Sequence, residues 1–283
     1  MAPKPVELQQ LSRQQFDRFC DFIYRTSGIR IAENKLSLLS NRIRRRLRAG
    51  PFEDFDAYYR YLTSPPGNGE IEHFIDAITT NETFFFRTES HFEWLKSDFL
   101  SEILSAERRS DEQRSIRIWS AGCATGAEPY SIAICLLENV YRLHDWTLTI
   151  VGTDISEEAL CEARDGLFRP RAVEAVPEKQ LKRYFEGPTD DDRWRVRREV
   201  RDLISFECHN LMRPKNAAPF DCIFIRNVLI YFDRESKRTV VENLIEALAP
   251  GGYLVIGPSE GIYNMLETLE RHATFLYRQP SEP

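Results

Sequence analysis

Little in this chain suits a membrane, an oxidising compartment or a metal centre. Across its 283 residues no uninterrupted apolar stretch approaches the roughly 20 residues of a membrane-spanning helix, which excludes a helical integral membrane protein. The opening MAPKPVELQQ lacks the apolar core of a signal peptide, so the protein is expected to be cytoplasmic. Its six cysteines (Cys20, Cys123, Cys135, Cys161, Cys208 and Cys222) are scattered, with no C-x-x-C pair and no histidine at zinc spacing. They are expected to be free thiols, and no metal is expected. Neither the G-x-G-x-x-G of dinucleotide sites nor the G-x-x-x-x-G-K-[ST] of phosphate loops occurs. Internal repeats and low-complexity tracts are absent too.

What is present is globular. Hydrophobic residues make up 42% and charged residues 29%, and Phe 18, Tyr 11 and Trp 4 supply more aromatic surface than a disordered chain carries. The net charge is −6, but the first 80 residues hold 12 Lys and Arg against 10 Asp and Glu, so the acidity lies downstream. A chain acidic overall is a poor general nucleic-acid binder, and any basic face must be local.

The first 80 residues read as a helical unit. Ser12 with Gln15 forms a capping-box start, followed by Phe16, Phe19, Cys20 and Ile23 at helical spacing before Gly28. Leu36, Leu39, Ile43 and Leu47 mark a second helix, stopped by Gly50-Pro51. Phe55, Tyr58 and Leu62 suggest a third, and Ile71, Phe74, Ile75 and Ile78 a fourth. Residues 81–114 form an interdomain segment, TTNETFFFR and a helix from about Ser90 to Leu104, with the polar spacer ERRSDEQRS at its end. From 115 to 283 strand-like runs (IRIWSAG, LTIVGTDI, SFECHN, FDCIFIRN, YLVIGPSEG and ATFLYRQ) are separated for the most part by helices. That grammar implies an α/β domain with a parallel sheet and helices on both faces. At about 186–206, GPTDDD and the period-two RWRVRREV predict a small antiparallel β insertion.

The informative segment is IRIWSAGCATGAEPYSIA, a strand running through Gly122 and Gly126 into a helix that opens near Pro129. Glycines at such a junction let a ligand lie against backbone. Asp154 ends the next strand, where a carboxylate can accept both ribose hydroxyls. Glu128 sits where a pyrophosphate would otherwise lie, repelling a phosphorylated cofactor and favouring a cationic one. S-adenosylmethionine fits, having a ribose, no phosphate, a sulfonium and an ammonium.

TTNETFFFR, SAGCATGAEPYSIA, GTDIS, HNL and FDCIFIRNVLIYF, in this order and spacing, resemble the CheR family of chemotaxis receptor protein-glutamate O-methyltransferases over nearly the whole chain. The resemblance implies a Rossmann-like class I S-adenosylmethionine-dependent methyltransferase domain behind a small all-α N-terminal domain. By residue, it implies that Asn81, Thr83 and Arg87 contact the cofactor, Glu128 its ammonium and Asp154 its ribose, with Gly122 in the turn. Asn210 and Leu211 would flank the adenine, and Asn227 and Val228 the methionine side. Arg87 and Tyr231 would border the transferring methyl, and S-adenosylhomocysteine would be the product. Phe84, Phe85 and Phe86 read as packing aromatics between the domains.

On the second helix Arg42, Arg44, Arg45, Arg46 and Arg48 fan away from the apolar stripe with no acid among them, which favours an anionic partner. The resemblance implies that this partner is the glutamate-bearing cytoplasmic helical bundle of membrane-bound chemoreceptors. A receptor C-terminal peptide could add a strand to the β insertion, but the short GPTDDDR turn favours an enzyme without that tether. Two competing readings are an RNA methyltransferase using the arginine helix on phosphates and a non-catalytic cofactor-sensing module. The acidic total charge and the missing N-P-P-[YF] string oppose the first. The intact set Asn81, Thr83, Arg87, Glu128, Asp154 and Tyr231 opposes the second.

Overall fold

The computed structural model describes residues 10–105 and 114–281. The opening residues 1–9 and most of the spacer ERRSDEQRS, with the expectations attached to them, lie outside the described residues. Helices α1 (Arg13–Ser27), α2 (Leu36–Ala49), α3 (Phe55–Leu62) and α4 (Asn68–Ile78) make the N-terminal unit. Ser12 and Gln15 close the capping box reciprocally and Gly28 ends α1 in the left-handed conformation (φ 74°). A cap of this kind contributes about 1 kcal/mol. The rest of its stability comes from its own core, in which Phe16, Phe19, Ile23, Leu39, Ile43, Leu47, Tyr58 and Phe74 are buried together.

The interdomain helix is α5 (Glu89–Trp94), a π-helical turn (Leu95–Phe99) and α6 (Leu100–Ser105). The α/β domain then runs β1 (Ser115–Ala121), α7 (Ala127–Leu137), β2 (Thr147–Asp154), α8 (Glu157–Asp165), β3 (Leu167–Phe168), α9 (Pro170–Val173), α10 (Glu178–Tyr184), β4 (Phe185–Glu186), β5 (Trp194–Val196), α11 (Arg198–Arg201), β6 (Ile204–Cys208), β7 (Phe220–Ile225), α12 (Arg234–Glu246), β8 (Leu248–Ile256), β9 (Glu270–Arg271) and β10 (Leu276–Arg278). The large sheet has the order β6-β2-β1-β7-β8-β10-β9. Its first five strands are parallel; β10 and β9 add antiparallel edge strands. The departure from an all-parallel sheet has a simple cause. No α-helix joins β8 to β10, and without a crossover the chain returns antiparallel.

Strand residues alternate between two cores. Ile116, Ile118, Ile150, Phe224 and Val255 pack with α5 and α7 on one face. Trp119, Ala121, Val151, Ile223, Ile225, Leu254 and Ile256 pack with α12 on the other. The small sheet, ordered β3-β5-β4, begins earlier than the expected span of 186–206. Its strands are two or three residues long, too short to show a period, and of RWRVRREV only Trp194–Val196 is strand, since α11 follows at once. Phe85 is fully buried against Tyr130, Phe168 and Phe185, so it packs this insertion onto the sheet domain instead of joining the two domains.

Backbone contacts join the N-terminal unit to the strand ends. The Arg30 N–H donates to the Tyr231 carbonyl at 2.8 Å, Ile29 and Phe232 form a β-bridge, and Asn210 Nδ2 donates to the Thr26 carbonyl at 2.8 Å. This closes a cleft over the C-terminal edges of β1, β2 and β7, where the strand order reverses.

Behind the sheet His91 is buried, stacked on Phe275 at 4.4 Å, with no partner for Nδ1. Burial, with Arg226 nearby, pushes its pKa down to about 3 from the usual 6.5. The folded protein therefore holds it neutral while the unfolded chain protonates it, so stability falls as the pH drops below about 6.5 and is unaffected above. Urea midpoints at pH 7.5 and 5.5 test this: His91→Phe should lose less stability between the two pH values than the wild type, and an equal loss contradicts it.

Candidate active site

The cleft has a volume of about 530 Å³ and is walled by both domains. Asn81, Thr83, Arg87, Gly122, Glu128, Asp154, Asn210, Leu211, Asn227, Val228 and Tyr231 all line it, drawn from five separate stretches of sequence.

Its floor is the β1–α7 turn. The N–H groups of Gly122 and Cys123 both donate to the Thr153 carbonyl at 2.8 Å, which fastens the turn to β2. Gly122 has φ 77°, and a Cβ there would lie 2.4 Å from Val228 Cγ2, so only glycine lets the turn and the β7 loop approach this closely. Asp154 Oδ2 accepts from the Ala124 N–H at 2.8 Å and Oδ1 from the Ser156 N–H at 3.0 Å. Burial raises its pKa and these amides oppose the rise. Backbone donors thus hold the carboxylate at the cleft wall with acceptor capacity left for ligand hydroxyls.

Glu128 lies in the first turn of α7. Ser120 Oγ donates to its Oε1 at 2.7 Å, and Arg226 Nη1 to its Oε2 at 2.9 Å. Arg226 follows β7 directly; its side chain is 2% exposed. Its Nη2 donates to the Arg87 carbonyl and its Nε has no protein partner. The site is therefore a paired carboxylate and guanidinium, where the sequence reading had a lone acid. Arg226 was visible only inside the string FIRNVLIYF, and nothing in its spacing marks it. Removing either partner would leave an uncompensated buried charge, at a cost of about 3–5 kcal/mol.

Tyr231, in a short 3₁₀ turn (Leu229–Tyr231), is 40% exposed at the cleft and is no part of the core. Phe84, 42% exposed, lines the same wall with the Arg87 guanidinium 5.5 Å from its ring centre, so it too is not interdomain packing. Phe86 packs edge-on against Phe92 at 5.4 Å. Asn210 uses both ends of its amide within the protein, on the Thr26 carbonyl and the Met212 N–H. Cys123 lines the cleft, but burial, Asp154 and Glu128 push its thiol pKa well up, so it is not a thiolate nucleophile at neutral pH.

The five arginines of α2 separate. Arg42 lines the cleft and ties α2 to the interdomain segment, donating to the Ile78 carbonyl and, at 2.6 Å, to Thr80 Oγ1. Arg46 is held by Glu70 of α4 at 2.8 and 2.9 Å, and Tyr58 donates to the same carboxylate at 2.9 Å. Its partner lies 24 residues away, which the arginine run could not reveal. Arg44 donates to Asn41, and Arg45 and Arg48 are exposed.

These residues fit S-adenosylmethionine. The wall carries the carboxylates of Glu128 and Asp154, with Glu82 beside them, no phosphate-binding glycine loop, and an arginine with an unsatisfied buried Nε beside Glu128, matching the opposite charges of a methionine zwitterion.

Comparison with known proteins agrees. The family described as "CheR methyltransferase, SAM binding domain" matches residues 81–275, and "CheR methyltransferase, all-alpha domain" matches residues 14–79. A chemotaxis protein methyltransferase of Salmonella typhimurium is 35% identical over 271 residues, covering 94% of this chain and 90% of that protein. That of Borreliella burgdorferi is 35% identical over 257 residues, 89% of each chain. That of Escherichia coli is 36% identical over 265 residues, 92% of this chain and 88% of the other.

Proposed function

The chain belongs to the CheR methyltransferase family, and we propose that it esterifies glutamate side chains on the cytoplasmic helical bundle of chemoreceptors. It is an S-adenosylmethionine-dependent methyltransferase. The observation that carries the glutamate reading is the cleft itself. The cofactor residues share it with Arg87, Arg42 and Tyr231, two guanidiniums and a hydroxyl that suit an anionic acceptor.

Bound S-adenosylmethionine supplies a methyl group made electrophilic by its sulfonium, and S-adenosylhomocysteine leaves. Glu128 would hold the ammonium of its methionine end, with Arg226 available to the carboxylate, and Asp154 the ribose. Asn81 and Thr83 from the interdomain segment, and Asn227 and Val228 from the β7 loop, would complete the enclosure. Gly122 would leave room for it, with Asn210 and Leu211 at the adenine end.

The substrate needs little activation. A glutamate carboxylate, with a reference pKa of about 4.3, is already ionised at pH 7. One of its oxygens would accept the methyl group directly, the sulfonium sulfur keeping the electron pair of the bond it gives up, and this chain would have no proton to move. An amine or hydroxyl acceptor would have to shed a proton; Glu128 and Asp154 are engaged by Arg226, Ser120 and backbone amides, and burial with Lys215 nearby pushes the pKa of His209 down and makes it a weaker base. The chain's contribution is therefore orientation. Arg87 and Arg42 attract the carboxylate, and the Tyr231 hydroxyl fixes one of its oxygens. On α2, Arg45 and Arg48 are exposed and Arg44 is half-buried, a basic face that suits an acidic helical partner, while Arg46 acts within the domain.

Transfer of labelled methyl from S-adenosylmethionine to receptor-containing membranes, followed by mild base, tests this reading. Release of volatile methanol is expected, lost when the receptor glutamates are changed to glutamine. Base-stable label on RNA or on other side chains would overturn it. In the same assay Tyr231→Phe should lower kcat about tenfold while S-adenosylhomocysteine still binds. The double variant Arg45→Glu, Arg48→Glu should raise the receptor KM and leave cofactor affinity within twofold; a large loss of cofactor affinity in the charge-reversed protein would contradict the docking assignment.

A further inference from the structure

Beyond the residues that line the cleft, a further carboxylate is sealed behind its β7 wall. Glu260, in the loop after β8, is 0% exposed. Its Oε1 accepts the Asn227 N–H and its Oε2 the Leu229 N–H at 2.7 Å. Lys237 of α12 donates Nζ to the Glu260 carbonyl at 2.5 Å, which fixes the backbone that presents this side chain. Gly257 makes the approach possible: a Cβ there would stand 2.6 Å from Glu260 Oε1 and 3.2 Å from the Asn227 nitrogen.

The segment so held is Asn227–Leu229, where the chain leaves β7 and turns toward Tyr231. Asn227 sits at φ 59°, a left-handed conformation uncommon outside glycine. In that turn successive amides point the same way, forming an anion-binding concavity. Here the protein fills it with its own carboxylate. Burial raises the Glu260 pKa, and the amides of Leu229, Asn227 and Val228 oppose the rise.

We propose that Glu260 is a positioning residue for methyl transfer, its buried carboxylate fixing the Asn227–Leu229 turn so that Asn227, Val228 and Tyr231 face the cofactor and the methyl acceptor together. The carboxylate is fully buried and does not itself line the cleft. It acts on one wall of the cleft through three consecutive residues, and Gly122, whose Cβ would meet Val228, sets the opposite limit on where that wall can stand.

The inference rests on the methyltransferase reading of the cleft for its kinetic arm alone; cofactor affinity and amide behaviour test it separately. In the full-length protein, Glu260→Gln replaces one acceptor oxygen by an amide nitrogen facing a backbone N–H. It should weaken S-adenosylhomocysteine binding and lower kcat at saturating substrate, each tenfold or more, with the receptor KM within twofold. Both losses should persist per folded molecule, judged by ellipticity and the urea midpoint. Gly257→Ala, which displaces the carboxylate without removing its charge, should move both in the same direction.

In the wild type, the Asn227 and Leu229 amide protons should exchange with solvent as slowly as those of β7, and this holds the inference open to test even if neither variant folds. Unchanged affinity and turnover in folded Glu260→Gln, losses that merely track the unfolded fraction, or amides exchanging at open-loop rates would overturn it. Should the wild type transfer no methyl to receptors, affinity and exchange still decide the role of Glu260.

Discussion

The buried pair of Glu128 and Arg226 is the interaction on which the site depends. It joins α7 to the end of β7, takes in Ser120 from β1, and reaches the interdomain segment through the Arg87 carbonyl. Three distant stretches of sequence, the β1–α7 unit, the end of β7 and the interdomain segment, are held at one point. A pair this deep is weak evidence for stability, because desolvating two charges offsets most of their attraction. What it provides is fixed opposite charge at the floor of the cleft, ready for a ligand end that carries both signs.

The rest of the cleft follows from that floor. Asp154 is set by backbone amides one strand away, Gly122 lets Val228 close in from the opposite side, and the Arg30–Tyr231 and Asn210–Thr26 bonds bring the helical unit over the top. The helical unit therefore helps to build the site. Arg42 shows how, since it anchors α2 to the interdomain segment while lining the cleft.

Much of this was legible beforehand where short-range rules apply. The capping box at Ser12, the four helices, the strand–helix alternation of the long sheet and the acids Glu128 after β1 and Asp154 at the end of β2 all follow from local spacing. What escaped depends on contacts across the fold. Arg46 looks like one more surface cation until Glu70 is placed beside it, Phe85 like domain packing until the β insertion is seen to cover it, and Arg226 like one letter of a string. Glu260 sits in an unremarked turn after a strand, and only the third dimension puts it behind Asn227. The small sheet began earlier than expected because β3 and β4 span two residues each, with no alternation to read.

The central claim is that the charged pair reads the amino-acid end of the cofactor, and calorimetry with two ligands tests it most directly. S-adenosylhomocysteine carries that end; methylthioadenosine lacks it and keeps the ribose and base. The wild type should bind the first about 100-fold more tightly than the second, a difference of about 2.7 kcal/mol. In Glu128→Gln and in Arg226→Met that ratio should collapse while methylthioadenosine affinity holds within twofold, showing the cleft intact. A ratio that survives both substitutions, or two affinities that fall in parallel, would contradict the account.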